Sequence, residues 1–231
     1  MSYTKKIVCL ANSFKVTGRC VAGREVLDNG TFGGWIRPVS KRPTTELQLW
    51  ETIYPDNSQP QLLDIIEIPL LNPAPHNHQT ENHVIDNSRE WVKSGEVRWP
   101  TLQVLEDRPP TLWVNSDRTA TGSFNCVSRV EAATQHHSLL LIKIRILTVQ
   151  IAAKPAEGKP YRDHRGNFLY NGIRYTLKLT DPAAIEAFRH RAGGAYNLQN
   201  AYLCVSLTEP YDKDNNRCHK IVAAIFTNPP L

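Results

Sequence analysis

Basic and aromatic side chains alternate closely along residues 161–178, YRDHRGNFLYNGIRYTLK, and these residue types together suit nucleic-acid binding. Lysine and arginine neutralise backbone phosphates, and aromatic rings stack on unpaired bases. The candidate contacts in this stretch are Arg162, Arg165, Tyr170, Arg174 and Lys178. The alternative interpretation is a half-buried β-hairpin whose polar face is simply solvated, which is common in antiparallel sheets.

A second set of basic and aromatic residues lies near the start of the chain. Its candidate contacts are Arg19, Arg24, Trp35, Arg37, Lys41 and Arg42. Alternation along a strand puts Trp35 on the same face as Arg37, so the sequence leaves the side of this ring open. The same rule puts Tyr175 beside Ile173 and Leu177, which assigns Tyr175 to the core.

Histidines between residues 76 and 83 form the cluster that comes nearest to a metal site. Imidazoles and a carboxylate suit zinc, and the weaker candidates for ligands are His76, His78 and His83, with Glu81 beside them. Their spacing matches no known metal-site pattern, so the favoured interpretation is a loop whose histidines bind no metal. Motifs for nucleophilic or nucleotide chemistry, such as GxSxG, HExxH and the P-loop, are absent from the sequence. We therefore expect no catalytic residue and no cofactor.

The composition is that of an ordinary globular protein, with 231 residues, 41% hydrophobic and 21% charged. The net charge of +5 favours a polyanionic partner. Residues 133–231 contain 13 Lys and Arg against 7 Asp and Glu, whereas residues 1–132 contain 14 against 15. Five dispersed cysteines without a CxxC pair favour a reducing compartment. With no secretory leader or apolar span visible, the sequence predicts a cytoplasmic protein without a membrane partner.

Local turn signals predict the elements of the second half most clearly. Asn171 and Gly172 tolerate the positive φ angles of a type I′ turn and separate two β-rich runs, at 167–170 and 173–179. Asp181 is a predicted helix N-cap, and the helix runs from Pro182 to about residue 191. Strands are also predicted at residues 139–151, 201–207 and 220–226.

The first half shows a similar but looser pattern. Short apolar runs predict strands at residues 6–11, 19–26, 34–40 and 62–71. Short helices are predicted at 45–53, with Leu49 and Trp50 turned inward, and at 88–93, packing Trp91. Residues 96–132 are predicted to be an irregular return segment, with Trp113 packed against the first core.

Three strands, a helix and two more strands are the order of an OB-type barrel, whose ligand face is formed by strands 2 and 3. We therefore predict an all-β protein with a few short helices, built as two tandem OB-like barrels packed together. The predicted domains are residues 1–132 and 133–231.

Several ordered segments resemble the prokaryotic family called the dual OB-containing domain. The resemblance rests on GRCVAGRE, GGWIRPVS, LLDIIEIPL, Gln79-x-Glu81-Asn82, YNGIRYTLKLTDP and YLCVSLTEPY followed by HKIVAAIF. It spans nearly the whole chain and implies two OB folds in tandem. It also implies a nucleic-acid-binding role within bacterial conflict or repair systems, and it brings no catalytic residues.

The leading functional hypothesis is a non-enzymatic module that binds single-stranded DNA or RNA, acting with a protein partner such as a nuclease or an ATPase. One alternative is a module that binds a partner protein or senses a small nucleotide. A third is a metal-dependent nuclease that uses the histidine loop. The sequence does not indicate the oligomeric state.

Overall fold

The computed structural model describes residues 2–154 and 161–231, and its chain forms two closed five-stranded barrels with 52% β-structure and 10% helix. Contacts divide it into two compact units. Unit 1 contains the residues up to Leu105 together with His136–Ser138. Unit 2 contains Glu106–Gln135 and Leu139–Leu231. The predicted all-β architecture of two tandem OB-like barrels is confirmed.

The barrel of unit 1 is closed by one parallel and four antiparallel strand pairs. Its strands are β1 (Tyr3–Lys15), β2 (Gly18–Val26), β3 (Phe32–Val39), β4 (Asp64–Pro73) and β5 (Asn82–Ile85). They are ordered β1-β2-β3-β5-β4, and β1 pairs back onto β4 to complete the ring. Strands β3 and β5 run parallel, as expected when the last strand closes an OB barrel. A sixth strand, β6 (Val92–Glu96), pairs antiparallel with the start of β4.

Alternating apolar residues fill the interior of unit 1. Ile66, Ile68 and Leu70 on β4 face Ile7 and Cys9 on β1, and all five side chains are fully buried. Side chains at every second position of a strand point to the same face, so these runs place their apolar residues inside the barrel. The only helical pieces in the described part of unit 1 are 3-10 turns at Leu49–Glu51 and Trp99–Thr101 and the short helix α1 (Leu102–Leu105).

The barrel of unit 2 repeats the same pairing pattern with longer strands. Its elements are β7 (Cys126–Val127), α2 (Arg129–Ala132), β8 (Leu139–Lys154), β9 (Tyr161–Tyr170), β10 (Ile173–Leu179), α3 (Pro182–Ala187), β11 (Gly194–Tyr211) and β12 (Arg217–Phe226). The ring is β8-β9-β10-β12-β11, with β11 paired to β8 and with β10 parallel to β12. The predicted hairpin therefore supplies strands 2 and 3 of this barrel.

The local signals of the hairpin act as expected. Asn171 and Gly172 have φ angles of 48° and 79°, the left-handed values that a type I′ turn requires. Asp181 caps α3, because its carboxylate accepts hydrogen bonds from the backbone N–H groups of Ala183 and Ala184. The other carboxylate oxygen of Asp181 accepts from the N–H of Ile225, which ties the helix start to β12.

Two predicted helices of unit 1 are wrong. The helix predicted at 45–53 is only the 3-10 turn Leu49–Glu51, and both Leu49 and Trp50 point to solvent. The segment predicted as a helix at 88–93 is instead a turn that leads into β6, which pairs with β4, and Trp91 is buried as expected. In both places strand pairing with distant residues outweighs a weak local helix preference.

The boundary between the units differs from the predicted one at residues 132 and 133. Leu112 and Trp113 belong to the hydrophobic core of unit 2, together with Val127 and Ala132. The return segment from Glu106 to Gln135 therefore packs on the second barrel, and the expectation that Trp113 covers the first core is wrong. In the described part of the chain, no helix has the length and apolar character that a bilayer crossing needs.

Gly23 allows β1 and β2 to approach each other, and this gives a test of the unit 1 barrel. A Cβ at Gly23 would lie 2.0 Å from the carbonyl oxygen of Val8, whereas a Cβ at Gly34 would meet nothing within 4 Å. We expect Gly23→Ala to lower the free energy of unfolding by roughly 1–3 kcal/mol, the usual range for an overpacked site. Urea unfolding followed by tryptophan fluorescence measures this, with Gly34→Ala as the matched control. Equal stability of the two variants would contradict the close approach.

Candidate nucleic-acid interface

The outer side of β9 and β10 corresponds to the usual ligand face of an OB fold. Along β10, Tyr175 and Leu177 are buried while Arg174 and Lys178 are exposed and Thr176 is half-buried. Strict alternation along the strand thus separates an apolar inner row from a basic and polar outer row. We call the outer side of β8, β9 and β10, which carries Arg174, Thr176 and Lys178, the strand-pair face, after the central pair β9 and β10.

A row of hydrogen-bonded amides and hydroxyls crosses the strand-pair face. The Thr148 hydroxyl donates to the side-chain oxygen of Asn197 at 2.8 Å, and the Thr176 hydroxyl donates to that of Asn167 at 2.6 Å. The Asn167 amide donates to the side-chain oxygen of Gln150 at 3.2 Å. Strand register places Thr148, Asn167 and Thr176 directly opposite one another. The row therefore holds several amide groups in fixed orientations at the barrel surface.

Two of the predicted arginines are engaged within unit 2. Arg165 donates to the Asp163 carboxylate at 2.7 Å, which offsets its charge. Arg162 donates to the backbone carbonyl oxygens of Arg189 and Arg191, just beyond α3. Arg174 and Lys178 on β10 are exposed, whereas the equally exposed Arg162 is held by these carbonyl oxygens.

The predicted stacking role of Tyr170 is not supported by its position. Its ring is buried on the inner face of β9, and its hydroxyl donates to the carbonyl oxygen of Pro109 at 2.8 Å. Tyr175 is also buried, as predicted, and it stacks on Phe168 with ring centroids 5.6 Å apart. Tyr170 belongs to the core because it shares the inward parity of Phe168 along β9.

In unit 1, Arg24 and Arg19 lie over the aromatic rings of neighbouring strands. The Arg24 guanidinium is 5.7 Å from the centroid of the Trp35 ring, and the two residues are cross-strand neighbours on β2 and β3. Arg19 lies 4.4 Å from the centroid of Phe14, its neighbour on β1, and partial burial lowers the pKa of Arg19. Arg24 and Trp35 are both half-buried, so both side chains are partly accessible to a ligand.

The structure places Arg37 in the interior of unit 1, where it is only 1% exposed. Its guanidinium lies 3.1 Å from the Glu81 carboxylate and 3.5 Å from the Asn82 side-chain oxygen. The Ser138 hydroxyl donates to the same Glu81 carboxylate. Parallel pairing of β5 beside β3 brings Glu81 and Asn82 to Arg37, and this pairing buries a side chain that alternation alone would leave exposed.

Lys41 and Arg42 lie beside a cleft of about 480 Å³ in unit 1. Arg42 donates two hydrogen bonds to the buried Glu51 carboxylate, at 2.6 and 2.9 Å, and this ion pair raises the pKa of Arg42. Asn87 donates to the same carboxylate at 2.9 Å. Lys41 is exposed at the edge of the cleft, so it is the more accessible of the two predicted cations.

The histidine loop does not assemble a metal site. His76 is exposed and His78 is buried, while His83 lies 2.6 Å from the Tyr3 hydroxyl through its Nδ1 atom. Burial lowers the pKa of His83. Within residues 2–154 and 161–231, no group of three or more His, Cys, Asp or Glu is placed to hold a metal ion.

Comparison with known proteins agrees with this architecture. A family model of the dual OB-containing domain matches residues 5–225. The chain belongs to this family. The architecture of two OB-like barrels supports nucleic-acid binding as the general class of function.

Other comparisons add little about function. No curated protein matches the chain. Among solved structures it is similar to a chain of a replication protein A heterotrimer bound to ssDNA, with 13% identity and a TM-score of 0.34. The match covers 90% of this chain and 44% of that one, so it spans less than half of the relative's length. This likeness is too distant to assign a function.

Each unit of this dual OB-containing protein also exposes an apolar residue that the sequence did not indicate as a site residue. Trp50 is 63% exposed, and the Arg42 guanidinium lies 5.9 Å from the centroid of its ring. Leu169 on β9 is also exposed, directly opposite Arg174. For Trp50 a signal was present, because adjacent residues such as Leu49 and Trp50 cannot both point directly into one core from a short helical turn.

Lys220 on β12 is a second residue that the sequence analysis missed. Its side chain is 1% exposed, and its ammonium donates to the Val114 carbonyl oxygen at 2.7 Å and to the Asn115 side-chain oxygen at 2.9 Å. The ammonium lies 5.4 Å from the centroid of the Tyr175 ring, and Asn115 also donates to the Tyr175 hydroxyl. Burial lowers the pKa of Lys220 to about 7.

The structural role of Arg37 gives one prediction. Removing one partner of a buried ion pair leaves the other uncompensated, so Arg37→Ala should lower the free energy of unfolding by roughly 3–5 kcal/mol. The exposed Lys41→Ala control should change it by no more than about 0.5 kcal/mol. Urea titrations of both variants measure the difference. If Arg37→Ala is as stable as the wild type but no longer binds oligonucleotides, Arg37 contacts nucleic acid and its structural role is refuted.

Lys220 gives a prediction about pH. Because its pKa is lower in the folded state, the unfolded state binds more protons above pH 7, and stability should rise with pH there. The expected gain between pH 7 and 8.5 is about 1.5 kcal/mol, and it should disappear in Lys220→Met. Thiols begin to ionise near the top of this range in both proteins, so their effect cancels in the difference. Parallel stability profiles of the two proteins would refute the buried-lysine account.

Proposed function

We propose that this protein is a non-enzymatic module that binds single-stranded DNA or RNA through the strand-pair face of unit 2. The observation that carries the proposal is the exposed pair Arg174 and Lys178 beside the ordered row of Asn167 and Thr176. Cations bind phosphates, while amides and hydroxyls form hydrogen bonds with sugars and base edges as donors and acceptors. The strand-pair face combines both groups on strands 2 and 3 of an OB barrel, the usual ligand position of that fold.

Single strands are a better fit than specific duplex reading. Reading the major groove commonly uses a recognition helix, and α1, α2 and α3 have only four, four and six residues. On β9 and β10 the rings of Phe168, Tyr170 and Tyr175 face the core. We therefore propose that the strand-pair face binds through phosphate and polar contacts, with little base stacking.

Unit 1 supplies the remaining candidate contacts. Arg24 with Trp35 and Arg19 with Phe14 are cation–aromatic pairs on the first three strands of its barrel. Lys41 adds an exposed cation. We propose that Arg24 and Trp35 form a second nucleic-acid contact on unit 1, with Trp35 as a stacking position.

The proposal includes a cellular setting. We infer a cytoplasmic module of a prokaryotic conflict or repair system, working with a nuclease or an ATPase that performs the chemistry. The family resemblance supports this setting.

A fluorescence anisotropy titration tests the binding proposal. Labelled oligo-dT and oligo-U of about 20 nucleotides are titrated with protein across a series from about 25 to 300 mM NaCl. Binding should weaken steeply as salt rises. Removing two phosphate contacts in Arg174→Ala/Lys178→Ala should reduce the slope of log K against log salt by about 1.4 and weaken low-salt binding about tenfold or more.

The matched control removes the same net charge elsewhere on unit 2. Arg129→Ala/Arg189→Ala changes two exposed arginines outside the strand-pair face and should retain most of the affinity. No binding at low salt would refute nucleic-acid binding. Equal losses in the two double variants would show that binding depends on overall charge and not on the strand-pair face.

A further inference from the structure

Four large apolar side chains of unit 1 are exposed where the β1–β2 hairpin meets the turn after β3. Phe14 and Val16 in the hairpin are 48% and 73% exposed, and Leu49 and Trp50 in the turn are 48% and 63% exposed. We call these four residues the hairpin–turn surface. Scattered single apolar residues are ordinary on protein surfaces, but a group of large ones marks an interaction site.

Hydrogen bonds join the two segments that carry this surface. Arg19 and Leu47 form two backbone hydrogen bonds, at 2.7 and 2.9 Å. The Lys15 ammonium donates to the Thr45 hydroxyl at 2.5 Å, and the Gln48 amide lies 3.4 Å from the Thr17 hydroxyl. The hairpin tip and the turn are therefore held side by side, and their exposed apolar residues lie on neighbouring parts of the surface.

The accessible charges of the two segments that carry the hairpin–turn surface are all positive. Lys15, Arg19 and Lys41 are half-buried or exposed, whereas the charge of Arg42 is paired with Glu51. The acids of the same segments, residues 12–20 and 40–51, are Glu46 and Glu51, and both are buried. A partner therefore meets apolar side chains surrounded by cations, without an accessible carboxylate in these segments.

We infer that the hairpin–turn surface binds an acidic, amphipathic segment of a partner protein, in which Asp or Glu alternates with large apolar residues. Apolar side chains of the segment would cover Phe14, Val16, Leu49 and Trp50, and its carboxylates would face the surrounding cations. Exposed tryptophan is the residue type that most often dominates such interfaces.

Other occupants fit this surface less well. A nucleic-acid strand gains from ring faces and accessible cations, but Val16 and Leu49 have no ring and the Arg42 guanidinium is bound to Glu51. A second copy of the chain would bring two basic surfaces together, which like-charge repulsion opposes. The inference concerns unit 1 and a protein ligand, so it is independent of the proposed role of the strand-pair face.

Fluorine NMR of protein labelled with 5-fluorotryptophan tests the inference directly. Trp50→Phe assigns the Trp50 resonance among the five tryptophans of the chain. The probes are a peptide with alternating Glu and Leu residues, the same peptide with Lys in place of Glu, and oligo-dT. The Glu-Leu peptide should shift the Trp50 resonance in a saturable way, and the Lys-Leu peptide should leave it unchanged.

Variants distinguish specific binding at the hairpin–turn surface from nonspecific hydrophobic binding. Anisotropy of the labelled Glu-Leu peptide should show at least about tenfold weaker binding to Phe14→Ala/Trp50→Ala and weaker binding to Lys41→Glu. The control Val104→Ala/Val130→Ala removes two other exposed apolar residues and should bind like the wild type. Thermal melts confirm that each variant is folded.

Three outcomes would overturn the inference. The first is no shift of the Trp50 resonance with the Glu-Leu peptide at millimolar concentration. The second is a shift with oligo-dT but not with the peptide, which would make the surface part of the nucleic-acid interface. The third is equal peptide binding by Phe14→Ala/Trp50→Ala and by the wild type.

Discussion

Closure of each five-stranded sheet into a barrel is the constraint on which the rest of the structure depends. The parallel pairs β3–β5 and β10–β12 complete the two rings. A closed barrel gives every strand residue an inside or an outside, so parity along the strand decides which side chains can meet a ligand. Arg174 and Lys178 are available because Tyr175 and Leu177 fill the interior between them.

Local signals were sufficient for much of unit 2. The Asn171–Gly172 turn, the alternation along β10 and the Asp181 cap each depend on residues close in sequence, and the structure has all three. The order of strands and helix then identified the OB fold. Unit 1 was less predictable, because its turn after β3 and its strand β6 are formed by contacts with distant residues.

The site was only partly predictable, and the failures at Arg37 and Lys220 share one physical cause. Arg37 is buried by Glu81 and Asn82, which are more than forty residues away in the chain, and the carbonyl oxygen that holds Lys220 is 106 residues away. Pairing at such separations is invisible to periodicity. Tyr170 is a different case, because the parity that it shares with Phe168 along β9 is a local signal that places its ring inside the barrel.

The two barrels share a fold but differ in what their surfaces offer. Unit 2 presents cations and oriented amides, with the rings of Phe168, Tyr170 and Tyr175 turned inward. Unit 1 presents arginine–aromatic pairs and exposed apolar residues. Contacts of the first kind weaken strongly with salt, whereas apolar burial does not. Rising ionic strength would therefore release a nucleic acid held by the cationic contacts before it releases a protein segment held mainly by apolar burial on unit 1.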